Sequence, residues 1–219
     1  HAARGNYTPA TIWGVPPRRL ALVSIIALSY VVWPAVIQGA FEVLHCIPVP
    51  DASGAVVRYL ASDVSVVCGS DAHAPVQAFA LWTLATVVAV EPVFVFVLLR
   101  RNVARLKEVS FREKFLFLYG GFREQWCFWE VVVMLRKAAL IAVTVFLGAN
   151  PAFQVFAATW VMLAAFVLQA VCKPYAHPTE EHLETLSLGA TLVTLLLGLL
   201  IVLGGLVPGL SEAHANLVR

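Results

Sequence analysis

Five stretches of this chain, at about residues 20–41, 75–99, 126–147, 152–171 and 183–206, are apolar over the roughly 20 residues that a helix needs to cross a bilayer. Composition agrees: 60% of the residues are hydrophobic, 13% are charged and the mean hydropathy is +0.83. A soluble domain is roughly 45–50% apolar and about 25% charged. The expected fold is all-α, a polytopic helical membrane bundle of about five spans, with domain limits at 1–19, 20–206 and 207–219. The chain begins at His1 rather than Met, so it is expected to be a piece of a larger protein. Prolines 34 and 92 fall inside the first and second spans, where lipid-embedded helices tolerate them at the cost of a kink.

Positive charge orients the bundle, because Lys and Arg concentrate on the cytoplasmic side. With residues 1–19 inside, the cytoplasmic segments hold eleven basic residues and the outer segments only Arg58 and Arg219. Seven of the eleven lie in one segment: Arg100, Arg101, Arg105, Lys107, Arg112, Lys114 and Arg123. Apolar Val103, Leu106, Phe115, Leu116, Phe117 and Leu118 are interleaved with them, as in an amphipathic helix lying on the inner leaflet. The same topology puts residues 42–73 outside, where Cys46 and Cys68 share an oxidising face. A disulfide across their separation of 22 residues is worth about 3 kcal/mol by loop closure; two unrelated buried thiols are the alternative.

The third stretch is unusual in carrying Glu130, Arg136 and Lys137. An ionisable group within a span needs a partner or a water-filled space. Counting the helical rise places Glu91 of the second span, like Arg136 and Lys137, about 13 Å from the inner edge. Glu91 is therefore expected to pair with Arg136 or Lys137. Glu130 and Lys137, seven residues apart, are about two turns distant and too far for easy direct contact. Snorkelling of the two basic side chains to the headgroups, or a place in an ion pathway or gate, are the competing readings. In the fifth span Ser187, Thr191, Thr194, Gly198 and Gly205 recur at helical spacing, a small-residue seam suited to close helix packing.

Other chemistry is sparse. His45, His73, His177 and His182 are scattered, and Pro178 between the last two favours a surface loop over a metal site. Cys127 and Cys172 near the inner face are candidates for acylation or plain buried thiols. No phosphate-binding glycine loop, nucleophile elbow or carboxylate pair is legible, so no enzyme, cofactor or metal is expected. A formal charge of +2 gives no reason to expect nucleic acid.

Two ordered sets of residues carry a family resemblance. One is Tyr59-Leu60, Asp63, Ser65 and Cys68, behind Cys46. The other runs Phe117-Leu118-Tyr119, Phe122, Trp126, Trp129-Glu130, Leu135-Arg136-Lys137, Gln154, Lys173-Pro174-Tyr175 and Leu183-Glu184, Leu186-Ser187-Leu188. Together they resemble the TRP-like C-terminal membrane domain of large cell-surface proteins of green algae and other protists, over about residues 40–200. The resemblance implies a disulfide between Cys46 and Cys68, and makes Trp129, Glu130, Arg136 and Lys137 the signature of the third span. Val90-Glu91-Pro92 departs from it, placing an acid where the family is usually apolar. It implies a multi-pass module of the plasma or ciliary membrane that anchors an extracellular assembly. A cation-channel subunit needing oligomerisation or further helices is the alternative, and an accessory subunit of a membrane complex a second one. Expected partners are the lipid bilayer, other membrane helices or subunits, and a large ectodomain.

Overall fold

A computed structural model of the protein describes residues 17–50 and 55–206; residues 1–16 of the expected N-terminal segment, and the expected tail, lie outside that range. The described chain runs α1 (Pro17–Leu44), β1 (Cys46–Pro50), β2 (Val56–Leu60), β3 (Asp63–Val67), α2 (Ala74–Thr83), a π-helical segment (Leu84–Val90), α3 (Glu91–Arg101), α4 (Val109–Tyr119), α5 (Trp129–Phe146), α6 (Pro151–Cys172) and α7 (Pro178–Leu206). Among the described residues four helical stretches are long and apolar enough to cross a membrane: Val23–Leu44, Ala74–Arg101, Pro151–Cys172 and Pro178–Gly204. α5 stands apart from them, since its 18 residues include Glu130, Arg136 and Lys137. It is also shorter than expected, because Glu124–Trp126 forms a separate 3₁₀ turn. Ile25, Val31, Val171 and Ile201 point outward and exposed, a surface that suits lipid.

α5 is the hub, packing against α1, α3, α4 and α6, while α7 lies along α6. Tyr30, Trp33, Ile37 and Phe41 recur every three or four residues and so share one face of α1. Trp33 and Ile37 bury there against Met134, flanked by Ala138 and Ile141. A second core closes the end expected to face inward, where Phe111, Leu118 and Tyr119 of α4 pack on Val95, Leu99, Leu106 and Cys127. α4 is thus held to the bundle by the apolar side of its pattern, with Leu116 and Phe117 left exposed.

The second span is broken in a way its sequence explains. Pro92 has no N–H and its ring crowds the preceding turn; the chain answers with seven residues in the i→i+5 register just before it. In that register the partner of the Val87 carbonyl would be the N–H of Pro92, which does not exist. Trp33 Nε1 donates to that carbonyl instead, at 3.1 Å. An indole 2% exposed thus satisfies a backbone group that the proline has stranded.

The expectation of an all-α chain is corrected on the side expected to face outward. The loop between α1 and α2 holds a three-stranded antiparallel sheet in the order β1-β2-β3. Cys46 pairs with Leu60 and Pro50 with Val56 across the first ladder, and Tyr59 with Val67 across the second. Cys46 and Cys68 form the disulfide, with Cα atoms 6.4 Å apart. The turn after it needs Gly69, whose φ of +80° is strained for other residues.

Candidate functional site

The polar groups inside the bundle form two sets. In the first, the Tyr30 hydroxyl of α1 donates to Glu130 Oε1 and accepts from Lys137 Nζ at 3.1 Å. Lys137 also lies 4.9 Å from the centre of the Tyr30 ring, a cation–π distance. Glu130 and Lys137 do not reach each other directly; a phenol from the neighbouring helix spans the two turns between them. In the second set, both terminal nitrogens of Arg136 donate to Glu184 Oε1 of α7 at 3.0 Å. These side chains are 19% and 25% exposed. Glu130, Arg136, Lys137 and Glu184 sum to zero formal charge, which lowers the cost of holding them in a medium of low polarity.

Glu91 does not pair with Arg136 or Lys137, contrary to expectation. Its Oε1 lies 3.1 Å from Ser29 Oγ, and Ser29 is also 2.9 Å from the carbonyl of Ile26 in its own helix, so one hydroxyl proton serves two acceptors. The physical reason is azimuthal: Glu91 follows the π segment and faces α1, while Arg136 is taken up by α7. Among the described residues Glu91 has no cationic partner.

Glu181 ties α6 to α7. It accepts from Gln169 Nε2 at 3.0 Å and from the Tyr175 amide at 3.2 Å. Tyr175 sits in the α6–α7 connection, outside the spans, where burial first and then the carboxylates of Glu184 and Glu130 push its phenol up to about 12. The connection turns through Lys173, in the left-handed region at φ 45°. It is clamped to the segment before α5: the Arg123 amide donates to Pro174 O at 2.8 Å, and the Ala176 amide to Gly121 O at 2.9 Å. Arg123 Nε also donates to the Tyr175 carbonyl, so this cation serves a backbone clamp.

The small-residue seam is not the face α7 uses within the chain. Ser187, Thr191 and Thr194 are exposed, whereas Leu188 is buried. Thr191 and Thr194 donate to Ser187 O and Ala190 O of their own helix, and so need no neighbour. Gly198 of the seam approaches α6, where an added Cβ would lie 3.9 Å from Val155; Gly205 falls in the last described turns of α7. The basic segment is exposed at Arg100, Arg101, Arg105, Lys107, Arg112 and Arg123, with Lys114 half-buried. Arg105 pairs with Glu108 at 3.1 Å and Lys107 with Glu124 at 2.7 Å. Cys127 is buried within the inner core, which takes it out of reach of an acylating enzyme.

Tyr30, Gln169, Glu181 and Glu184 are site residues that reading the chain missed. Glu184 carried a signal, as an acid at the second position of the expected span 183–206, and Tyr30 carried none beyond its position. His73 was also underrated. Gly69 N–H donates to its Nδ1 at 3.2 Å, so in the neutral ring Nε2 carries the proton and donates to Val43 O at 3.0 Å. No group of three or more metal-ligating side chains occurs among the described residues. Comparison of the chain with family models, curated proteins and solved structures finds no match.

Proposed function

We propose that the chain is the membrane module of a larger TRP-like cell-surface protein, with α5 as a fifth span, and that it anchors an extracellular assembly. The observation that carries this reading is the use made of the intramembrane charges. Between helices already surrounded by apolar lipid, burial of more apolar surface gives little drive to associate, and packing and polar contacts decide. Here Tyr30, Glu130 and Lys137 join α1 to α5, and Arg136 and Glu184 join α5 to α7. Charges consumed pairwise between helices serve cohesion. The disulfide-tied sheet on the outer side gives such an assembly a rigid base.

A cation-channel subunit is the second reading, favoured by Glu91, which has no cationic partner among the described residues. Reconstitution into planar bilayers separates the two. The anchor reading expects no cation current from the purified chain. Reversible current that is lost in Glu91→Gln or Arg136→Gln would replace it with the channel reading.

A further inference from the structure

We propose that the inner end of the bundle holds one anionic glycerophospholipid, its phosphate at Arg105 and Lys114 and an acyl chain running up between α1 and α3. The site rests on the membrane placement proposed above. A cavity of about 240 Å³ opens where α3 ends, lined by Asn102, Arg105, Lys114 and Phe111. A second, about 320 Å³, runs between α1 and α3 past Ile26 and Phe94. Leu98 and Phe115 line both, so a basic mouth and an apolar groove adjoin across these two side chains, which a bound acyl chain would have to part.

The mouth is cationic. Among the described residues Lys114 has no ion-pair partner, and Arg105 meets Glu108 through its Nε. Asn102 uses one amide hydrogen on the Leu98 carbonyl, at 2.8 Å, which fixes the side chain at the rim. Fixed donors beside mobile cations make an anion site, and phosphate takes the fork of an arginine well. The groove beyond explains why the ligand is a lipid rather than a free phosphate. Leu98 lies four residues, or about 6 Å, above Asn102, and Phe94 another 6 Å or so further on. A chain anchored at the mouth therefore lies along apolar wall for about 12 Å before the groove reaches Glu91 and Ser29.

The test is native mass spectrometry of the full chain in detergent, titrated with phosphatidylserine and with phosphatidylcholine. The expected result is one retained phosphatidylserine, preferred at least ten-fold. Each cation near a membrane surface is worth about five-fold in binding, so Lys114→Gln should lose about five-fold and the double variant with Arg105→Gln about 25-fold. Leu98→Trp fills the groove and should release the lipid with both cations intact. Arg112→Gln, outside the cavity, should change retention by less than two-fold. Equal retention of both lipids, or an equal loss in Arg112→Gln, overturns the site. Full displacement by soluble glycerophosphate would do the same, marking a free-phosphate site. A chain that holds neither lipid and fails to enter nanodiscs overturns the membrane reading beneath it.

Discussion

Removing one side of the Arg136–Glu184 pair should strand a charge between helices of the bundle. Deleting one partner of a fully buried pair costs about 3–5 kcal/mol. These side chains keep 19% and 25% of their exposure, so partial solvation brings the figure to about 2–3 kcal/mol for either Arg136→Gln or Glu184→Gln. At 2–4 °C per kcal/mol for a chain of this length, each variant should melt about 5–10 °C lower. The double variant places two amides where two charges stood and should recover part of the loss, with a coupling of about 1.5 kcal/mol or more. The assay is a double-mutant cycle on detergent-purified chain, by thermal melting or by titration with a denaturing detergent. If Arg136 instead snorkels to the headgroups, Glu184→Gln alone should cost under about 0.5 kcal/mol and the two changes should simply add. That outcome would refute the pairing as a source of cohesion.

Other contacts give sharper single tests. Tyr30→Phe keeps the ring under Lys137 but removes the hydroxyl between Glu130 and Lys137; a loss of about 1–2 kcal/mol is expected, and a melting point equal to the parent would show the bridge idle. Trp33→Phe leaves the Val87 carbonyl without a donor, so hydrogen exchange should speed through Leu84–Val90 and stability should fall by about 1–3 kcal/mol. Replacing Cys46 and Cys68 together by Ser should cost about 3 kcal/mol; in intact cells a membrane-impermeant maleimide should label the outer loop only after reduction. Tyr175 is held neutral in the folded chain, so its contribution is complete below pH 10 and lost as pH rises toward 12. Melting followed across that window should fall less steeply in Tyr175→Phe than in the parent.

Four of the five expected spans coincide with helices apolar enough to cross a membrane, because their signal in the sequence is one-dimensional. A run of apolar residues has a length, and a charge within it has a depth. Counting helical rise put Glu91, Arg136 and Lys137 at one height, but azimuth is not in that count. Glu91 turned to Ser29 because the π segment sets its bearing, and Arg136 turned to Glu184, on the helix that packs along α6. The order of helices around the hub decides such partners, and no local pattern encodes it. The seam meets a related limit: spacing defines a face without saying what it meets, and within this chain the threonine hydroxyls satisfy themselves on their own helix. The outer sheet was within reach. Val56-Val57-Arg58-Tyr59-Leu60 and Asp63-Val64-Ser65-Val66-Val67 are β-branched and turn-bounded, and the emphasis on cysteines hid the strands around them.

The π segment also sets phase. Each residue in an α-helix turns the chain by about 100°, so a stretch that accommodates a surplus residue rotates everything after it relative to everything before. Ala74–Thr83 and Glu91–Arg101 are thus two helices of one span with separately chosen bearings. Deleting a single residue within Leu84–Val90 would leave the span long enough for the bilayer but would swing Glu91 off Ser29, and Val95 and Leu99 out of the inner core together. A point deletion in this stretch is therefore a change of wiring, whereas a point deletion near the outer end of α2 is mainly a change of length.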